Sequence, residues 1–113
     1  MTVDSHLIYE RDGHRCPHCG HRADSIQHRA NRQMGGAKNP VRHSPSNLLA
    51  MCWSSNVSAE SDSEFARLAK RYGWKLTQDQ NPLEVPVYDV TDDCWYELGN
   101  DYSKTPTTAP EKS

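Results

Sequence analysis

The sequence has no apolar run approaching the ~20 residues that a membrane-spanning helix needs, and its mean hydropathy is −0.92. An integral membrane helix is therefore excluded. Its first residues, Met1-Thr2-Val3-Asp4-Ser5-His6, lack a basic stretch followed by an apolar one. No secretory signal is expected from them, and a cytoplasmic location is the corresponding expectation. There is no internal repeat. Only 35% of the 113 residues are hydrophobic, so the core is small. A chain of this length buries roughly 65% of its unfolded surface, enough for one domain or one domain with a tail.

Positive charge is scarce in the back of the chain, and negative charge is absent from one stretch of the front. Residues 1–75 hold 11 Lys and Arg against 7 Asp and Glu, together with all six His, whereas residues 76–113 hold 2 basic against 8 acidic residues. The front is thus +4 and the back −6. Between His28 and His43 there are Arg29, Arg32, Lys38 and Arg42 and no acid. A basic, His-rich front points to an anionic partner, with a solvated basic loop as the plainer reading. The acidic back, carrying Trp95, Tyr96 and Tyr102, reads as a solvated acidic tail, with a protein-binding surface or a DNA mimic as the alternatives.

The four cysteines stand at 16, 19, 52 and 94. Cys16-Pro17-His18-Cys19 is a C-x-x-C knuckle, which in a chain without an export signal reads as half of a zinc site or a redox pair. The redox version needs a thioredoxin-like βαβ context, and none surrounds it. Asn56-Val57-Ser58 matches a glycosylation sequon, read as accidental without an export signal.

Periodicity predicts a short helix over Thr2–Arg11, stopped by Asp12-Gly13, and a turn-rich loop through Gly20. Short strands are expected over Ala23–His28 and over the apolar run Leu48–Met51. Residues 29–46 hold two Gly and two Pro and read as one long ordered loop rather than an element, and loops of that length are usually functional or disordered. Val57, Ser61, Phe65, Leu68, Ala69 and Tyr72 are spaced for one helix face ending at Gly73. Trp74–Leu76, Glu84–Val90 and Cys94–Leu98 are further short strands, and residues 103–113 read as a disordered tail. The expected class is α+β.

Three blocks stand in order. They are Tyr9-Glu10-Arg11-Asp12-Gly13-His14-Arg15-Cys16-Pro17-His18-Cys19-Gly20, then Ile26-Gln27-His28-Arg29-Ala30-Asn31-Arg32-Gln33-Met34-Gly35-Gly36, then Ser44-Pro45-Ser46-Asn47-Leu48-Leu49-Ala50-Met51-Cys52. Together they resemble the HNH endonucleases of actinobacteria and their bacteriophages, over roughly residues 8–76. The resemblance implies a small ββα-metal domain of the zinc-knuckle type over residues 1–76. That domain would include the N-terminal helix, and an acidic, β-rich extension over 77–102 and the tail over 103–113 would follow it. It implies a metal-dependent DNA endonuclease, phage-borne and acting in a host cytoplasm, with His28 as general base and Asn47 orienting it. The chemistry suits those residues. An imidazole titrates near neutral pH and can take a proton from water, and an amide carbonyl can hold the ring in one tautomer. The catalytic metal, Mg²⁺ or Mn²⁺, would lie at Gln27 and Asn56, structural Zn²⁺ at Cys16, Cys19 and Cys52, and the DNA backbone against Arg29, Arg32, Lys38 and Arg42.

The departures from the family pattern carry as much weight. Where the family's second knuckle reads Cys-x-x-Cys-His, this chain has Cys52-Trp53-Ser54-Ser55-Asn56. The fourth zinc thiolate is thereby Ser55 and the metal-binding His is Asn56. Gln27 stands where many relatives carry Asp or His. Two neutral amides make a weak site for a hard cation. Asn56 reads equally well as a helix N-cap, and Ser61-Asp62-Ser63-Glu64 as a capping box. Cys94 and His21 are the candidates by type for a fourth zinc ligand. The competing function is a pseudo-nuclease that uses the same fold to bind nucleic acid or a host protein.

Overall fold

The computed structural model describes residues 3–30, 44–77 and 79–110. Among these, three α-helices and two small antiparallel sheets form an α+β fold. Helix α1 runs Ser5–Arg11. It starts later than expected because Asp4 is extended and its carboxylate accepts the His6 N–H at 3.0 Å, capping the helix there. Its buried face is Ile8, packed with Ala23, Leu48 and Ala50.

Strands β1 (Ser25–His28) and β2 (Leu48–Met51) pair antiparallel, with His28 opposite Leu48 and Gln27 opposite Leu49. All four β2 residues are buried. Leu48 and Ala50 face the α1 cluster, whereas Leu49 and Met51 join the main core. A strand covered on both faces reads as a continuous apolar run rather than an alternating one. Arg11 and Asp12, both nearly inaccessible, clamp this edge. Arg11 donates to Asp12 and to the carbonyls of Pro45 and Leu48, and Asp12 accepts the Ala50 N–H at 2.9 Å.

The single helix expected over 57–72 is two: α2, Trp53–Ser61, and α3, Ser63–Arg71. Asp62 breaks them. Its backbone is extended, and its carboxylate accepts the N–H groups of Glu64 (3.0 Å) and Phe65 (3.3 Å). Recapping there is favoured over continuing the helix. The apolar stripe therefore splits: Val57 is exposed, while Phe65, Leu68, Ala69 and Tyr72 pack on the core. The N-cap of α2 is Cys52, so Asn56 lies one turn inside the helix, and the Asn56 cap expectation is corrected. Likewise the second cap is Asp62, not Ser61.

Past α3 the chain turns at Gly73, where φ is +79° and a Cβ would meet the Pro86 carbonyl oxygen at 2.1 Å. Only glycine fits. Trp74 is fully buried and its indole donates to the Tyr88 carbonyl at 2.8 Å. The strand expected at Trp74–Leu76 is reduced to one parallel bridge between Ala30 and Leu76. The second sheet has the order β3 (Val87–Asp89), β4 (Cys94–Leu98), β5 (Lys104–Thr107). The last of these corrects the disordered tail: residues 104–107 pair with β4. Pro106 is tolerated because β5 is an edge strand. The main core draws Cys16, Leu49, Met51, Ala59, Ala69 and Trp74 together with Val87 and Leu98. No helix among the described residues is long and apolar enough to cross a membrane.

Candidate functional site

The first polar cluster lies at the C-terminal end of β2. The knuckle closes on itself, with the Cys16 N–H donating to His21 O (2.8 Å) and the Gly20 N–H to Cys16 O (2.9 Å). Gly20, at φ +76°, turns the chain tightly beside Thr91. Cys52 is brought to the knuckle by β2 and by its place as the α2 N-cap. The sulfur atoms of Cys16, Cys19 and Cys52 all lie within 4.8 Å of one another, and Cys19 Sγ is 3.6 Å from Cys52 Sγ. Cys16 is fully buried and the other two are half-buried.

Burial pushes the Cys19 thiol up to about 11, with Cys52 and Cys16 adding to the effect. Burial also pushes Cys52 up, but its hydrogen bonds with the Ser55 side chain and backbone and with the neighbouring thiols outweigh it, and its pKa falls. Three converging sulfurs are the donor set of a thiophilic ion, and a metal there would deprotonate them outright. These three residues can hold a metal ion such as zinc. Neither Cys94 nor His21 joins them among the described residues. What lies beside them is Ser55. The Cys52 thiol donates to Ser55 Oγ at 3.2 Å, and Ser55 Oγ is 3.1 Å from His18 Nδ1.

The second cluster lies at the other end of β2. His28 is half-buried at the C-terminal end of β1. Strand alternation puts Gln27 and Arg29 on the opposite face from it, and both of those are buried, Gln27 at 2% and Arg29 at 0% exposure. The Gln27 amide donates to the Trp74 carbonyl at 3.4 Å. Asn47 is fully buried, and its side chain grips the backbone of Ala30 from both sides: Oδ1 accepts the Ala30 N–H at 2.8 Å and Nδ2 donates to Ala30 O at 3.1 Å. Its own carbonyl accepts the Arg29 N–H at 2.8 Å. Asn47 thus fixes the chain as it leaves His28. Asn56 reaches from α2 to β1, its Nδ2 donating to Ser25 Oγ (3.0 Å) and Ile26 O (3.4 Å).

Arg29 is the clearest correction. It was expected against a phosphate backbone, but its guanidinium is enclosed. It donates to the carbonyls of Gly73 (2.7 Å), Ser46 (2.8 Å), Pro82 (3.1 Å) and Val85. Burial, with Arg11 nearby, lowers its pKa to about 9, which leaves it a cation at neutral pH. It is unavailable to an external anion. Arg32, Lys38 and Arg42 lie outside the described residues. Around His28 no group of three or more His, Cys, Asp or Glu side chains forms among the described residues.

Sequence reasoning missed the Ser55–His18 pair and the inward role of Arg29. The signal for Arg29 was the strand period itself, since residues 27 and 29 of one strand must share a face and residue 28 the other. Compared with known proteins, the chain matches no protein family, no curated protein and no solved structure.

Proposed function

We propose that this chain is an HNH-type DNA endonuclease in which His28 activates the attacking water. One observation carries the reading. The second and third motif blocks hold an antiparallel strand pair, and the helix that follows the third block lies against it, with His28 ending β1, Asn47 directly before β2 and Asn56 joining α2 to β1. In this scheme the half-buried His28 takes a proton from water as that water attacks phosphorus. Asn47 keeps the base in place by holding Ala30. The segment carrying Arg32, Lys38 and Arg42 begins directly after this site in sequence and supplies the phosphate contacts.

A divalent ion, Mg²⁺ or Mn²⁺, would supply electrostatic stabilisation of the charge that develops on the phosphate. Asn56, whose Nδ2 is turned to β1, offers its carbonyl oxygen for such an ion. Gln27 does not fit that role, because it is buried and hydrogen-bonded to Trp74. Zn²⁺ on Cys16, Cys19 and Cys52 would be structural, tying the knuckle to the start of α2.

The second reading, a pseudo-nuclease that binds DNA or a host protein without cutting, is favoured by the same Gln27 observation. Without that position the two candidate ligands reduce to one neutral oxygen, that of Asn56, with no carboxylate beside it among them. Plasmid nicking with Mg²⁺, Mn²⁺ or Ni²⁺ separates the two. The nuclease reading expects cleavage that falls about 10²–10⁴-fold in His28→Ala, with DNA binding retained. Cleavage that survives His28→Ala defeats it, and DNA retention without cleavage at any metal favours the pseudo-nuclease.

A further inference from the structure

We propose that a metal held by Cys16, Cys19 and Cys52 takes the Ser55 hydroxyl as its fourth ligand, with His18 holding that hydroxyl in place, so that the centre has three sulfurs and one oxygen. The inference rests on the metal reading of the three-cysteine cluster. It concerns two residues of this chain that lie outside that cluster.

The geometry supports an oxygen corner. Ser55 follows Cys52 by three residues on the first turn of α2, a spacing that puts both side chains on one helix face. The Cys52 thiol donates to Ser55 Oγ at 3.2 Å, so an oxygen lone pair already points at the cluster. Ser55 is only 5% exposed, which leaves little access for solvent to take the corner instead. The remaining need of the hydroxyl is an acceptor for its own proton, and His18 Nδ1 stands 3.1 Å away. The His18 ring is gripped edge-on by Phe65 at 4.8 Å and Trp74 at 5.5 Å between centroids, so the acceptor is fixed by packing. His18 is therefore a positioning residue and Ser55 the ligand. Metal binding releases the thiol protons to solvent, and neither oxidation nor reduction is involved.

Structural zinc sites are usually closed by four strong ligands, and partners behind a ligand typically matter 10–100-fold in metal affinity. The test uses the full chain, stripped of metal under reducing conditions and titrated with Co²⁺, read by its thiolate-to-cobalt charge-transfer band and its ligand-field bands. Wild type should bind one Co²⁺ with a tetrahedral spectrum and the charge-transfer strength of three thiolates. Ser55→Cys should raise that strength by about a third, as three sulfurs become four, and bind more tightly. Ser55→Ala should move the ligand-field bands and weaken binding about 10–100-fold, and His18→Phe, which keeps a ring between Phe65 and Trp74, should weaken it in the same direction. An unchanged spectrum and affinity in both Ser55→Ala and His18→Phe overturns the proposal while leaving the three-cysteine metal site standing. So does a wild-type spectrum with four thiolates, which would mean that Cys94 is recruited. A wild-type chain that binds no Co²⁺ or Zn²⁺ overturns the proposal and the metal reading together.

Discussion

The two ends of β2 hold polar clusters of opposite character. At the Leu48 end, Arg29 and Asn47 are buried and bonded to backbone: the guanidinium to four carbonyls, the amide to both polar atoms of Ala30. At the Met51 end, three thiols face one another with Ser55 and His18 behind them. The first cluster is complete in the folded chain. The second gathers three sulfurs that can hold a metal ion. A polar cluster that satisfies itself supports the fold unconditionally, while one that gathers soft donors in a small space makes stability depend on a ligand. The similar sequence context of both clusters, short polar motifs flanking an apolar strand, conceals this difference.

The largest expected effect comes from breaking the complete end. Arg29→Met removes a buried cation from four carbonyl acceptors, and should cost about 3–5 kcal/mol in urea unfolding, the range for losing one side of a buried charged network. A loss below about 1 kcal/mol would mean that those carbonyls find other donors and that the cluster is not structural. The Met51 end should respond to metal rather than to mutation alone. Zn²⁺ at 100 times its Kd should add about 2.7 kcal/mol, seen as a rise in Tm that chelation reverses. In Cys52→Ser that metal-dependent rise should be largely lost. A Tm indifferent to Zn²⁺ would erase the contrast between the two ends.

Asn47→Ala should cost about 2 kcal/mol, since it leaves the buried N–H and C=O of Ala30 without their side-chain partner. If His28 is a base, the same change should also lower cleavage by loosening the chain beside it, and a stability loss with unchanged cleavage would separate the two roles. The smallest effect concerns the junction of α2 and α3. Asp62→Ala removes the cap that splits α2 from α3 and should cost about 1 kcal/mol by thermal unfolding.

Much of the frame was legible from residues. Leu48–Met51 and Cys94–Leu98 are strands over the expected residues, because an apolar run and a β-rich aromatic run leave few alternatives. The convergence of Cys16, Cys19 and Cys52 is what the family resemblance implied, through the knuckle and the cysteine that follows the second strand. Three things were not legible. The two-helix break depended on whether Asp62 would cap or continue, a choice between two local hydrogen-bonding patterns of similar strength. Strand β5 was concealed by its Thr, Pro and Lys composition, since an edge strand needs only its partner's backbone. Arg29 was read as a surface cation because charge is rarely buried. Its burial became intelligible only when four carbonyls from distant segments were seen to meet it.

Those carbonyls give the fold an order of assembly. They belong to residues 17, 44, 53 and 56 positions after Arg29. As the chain leaves a ribosome, the guanidinium meets the Ser46 carbonyl early, the Gly73 carbonyl after α3, and those of Pro82 and Val85 only when the acidic segment emerges. Until then the cation has part of its coordination and retains its hydration, which resists closure of the core around it. The segment that follows Leu76 therefore acts on the residues before it as a latch acts on a lid. A chain truncated before Val85 should expose its β1–β2 pair to proteolysis, and the released full-length chain should protect it.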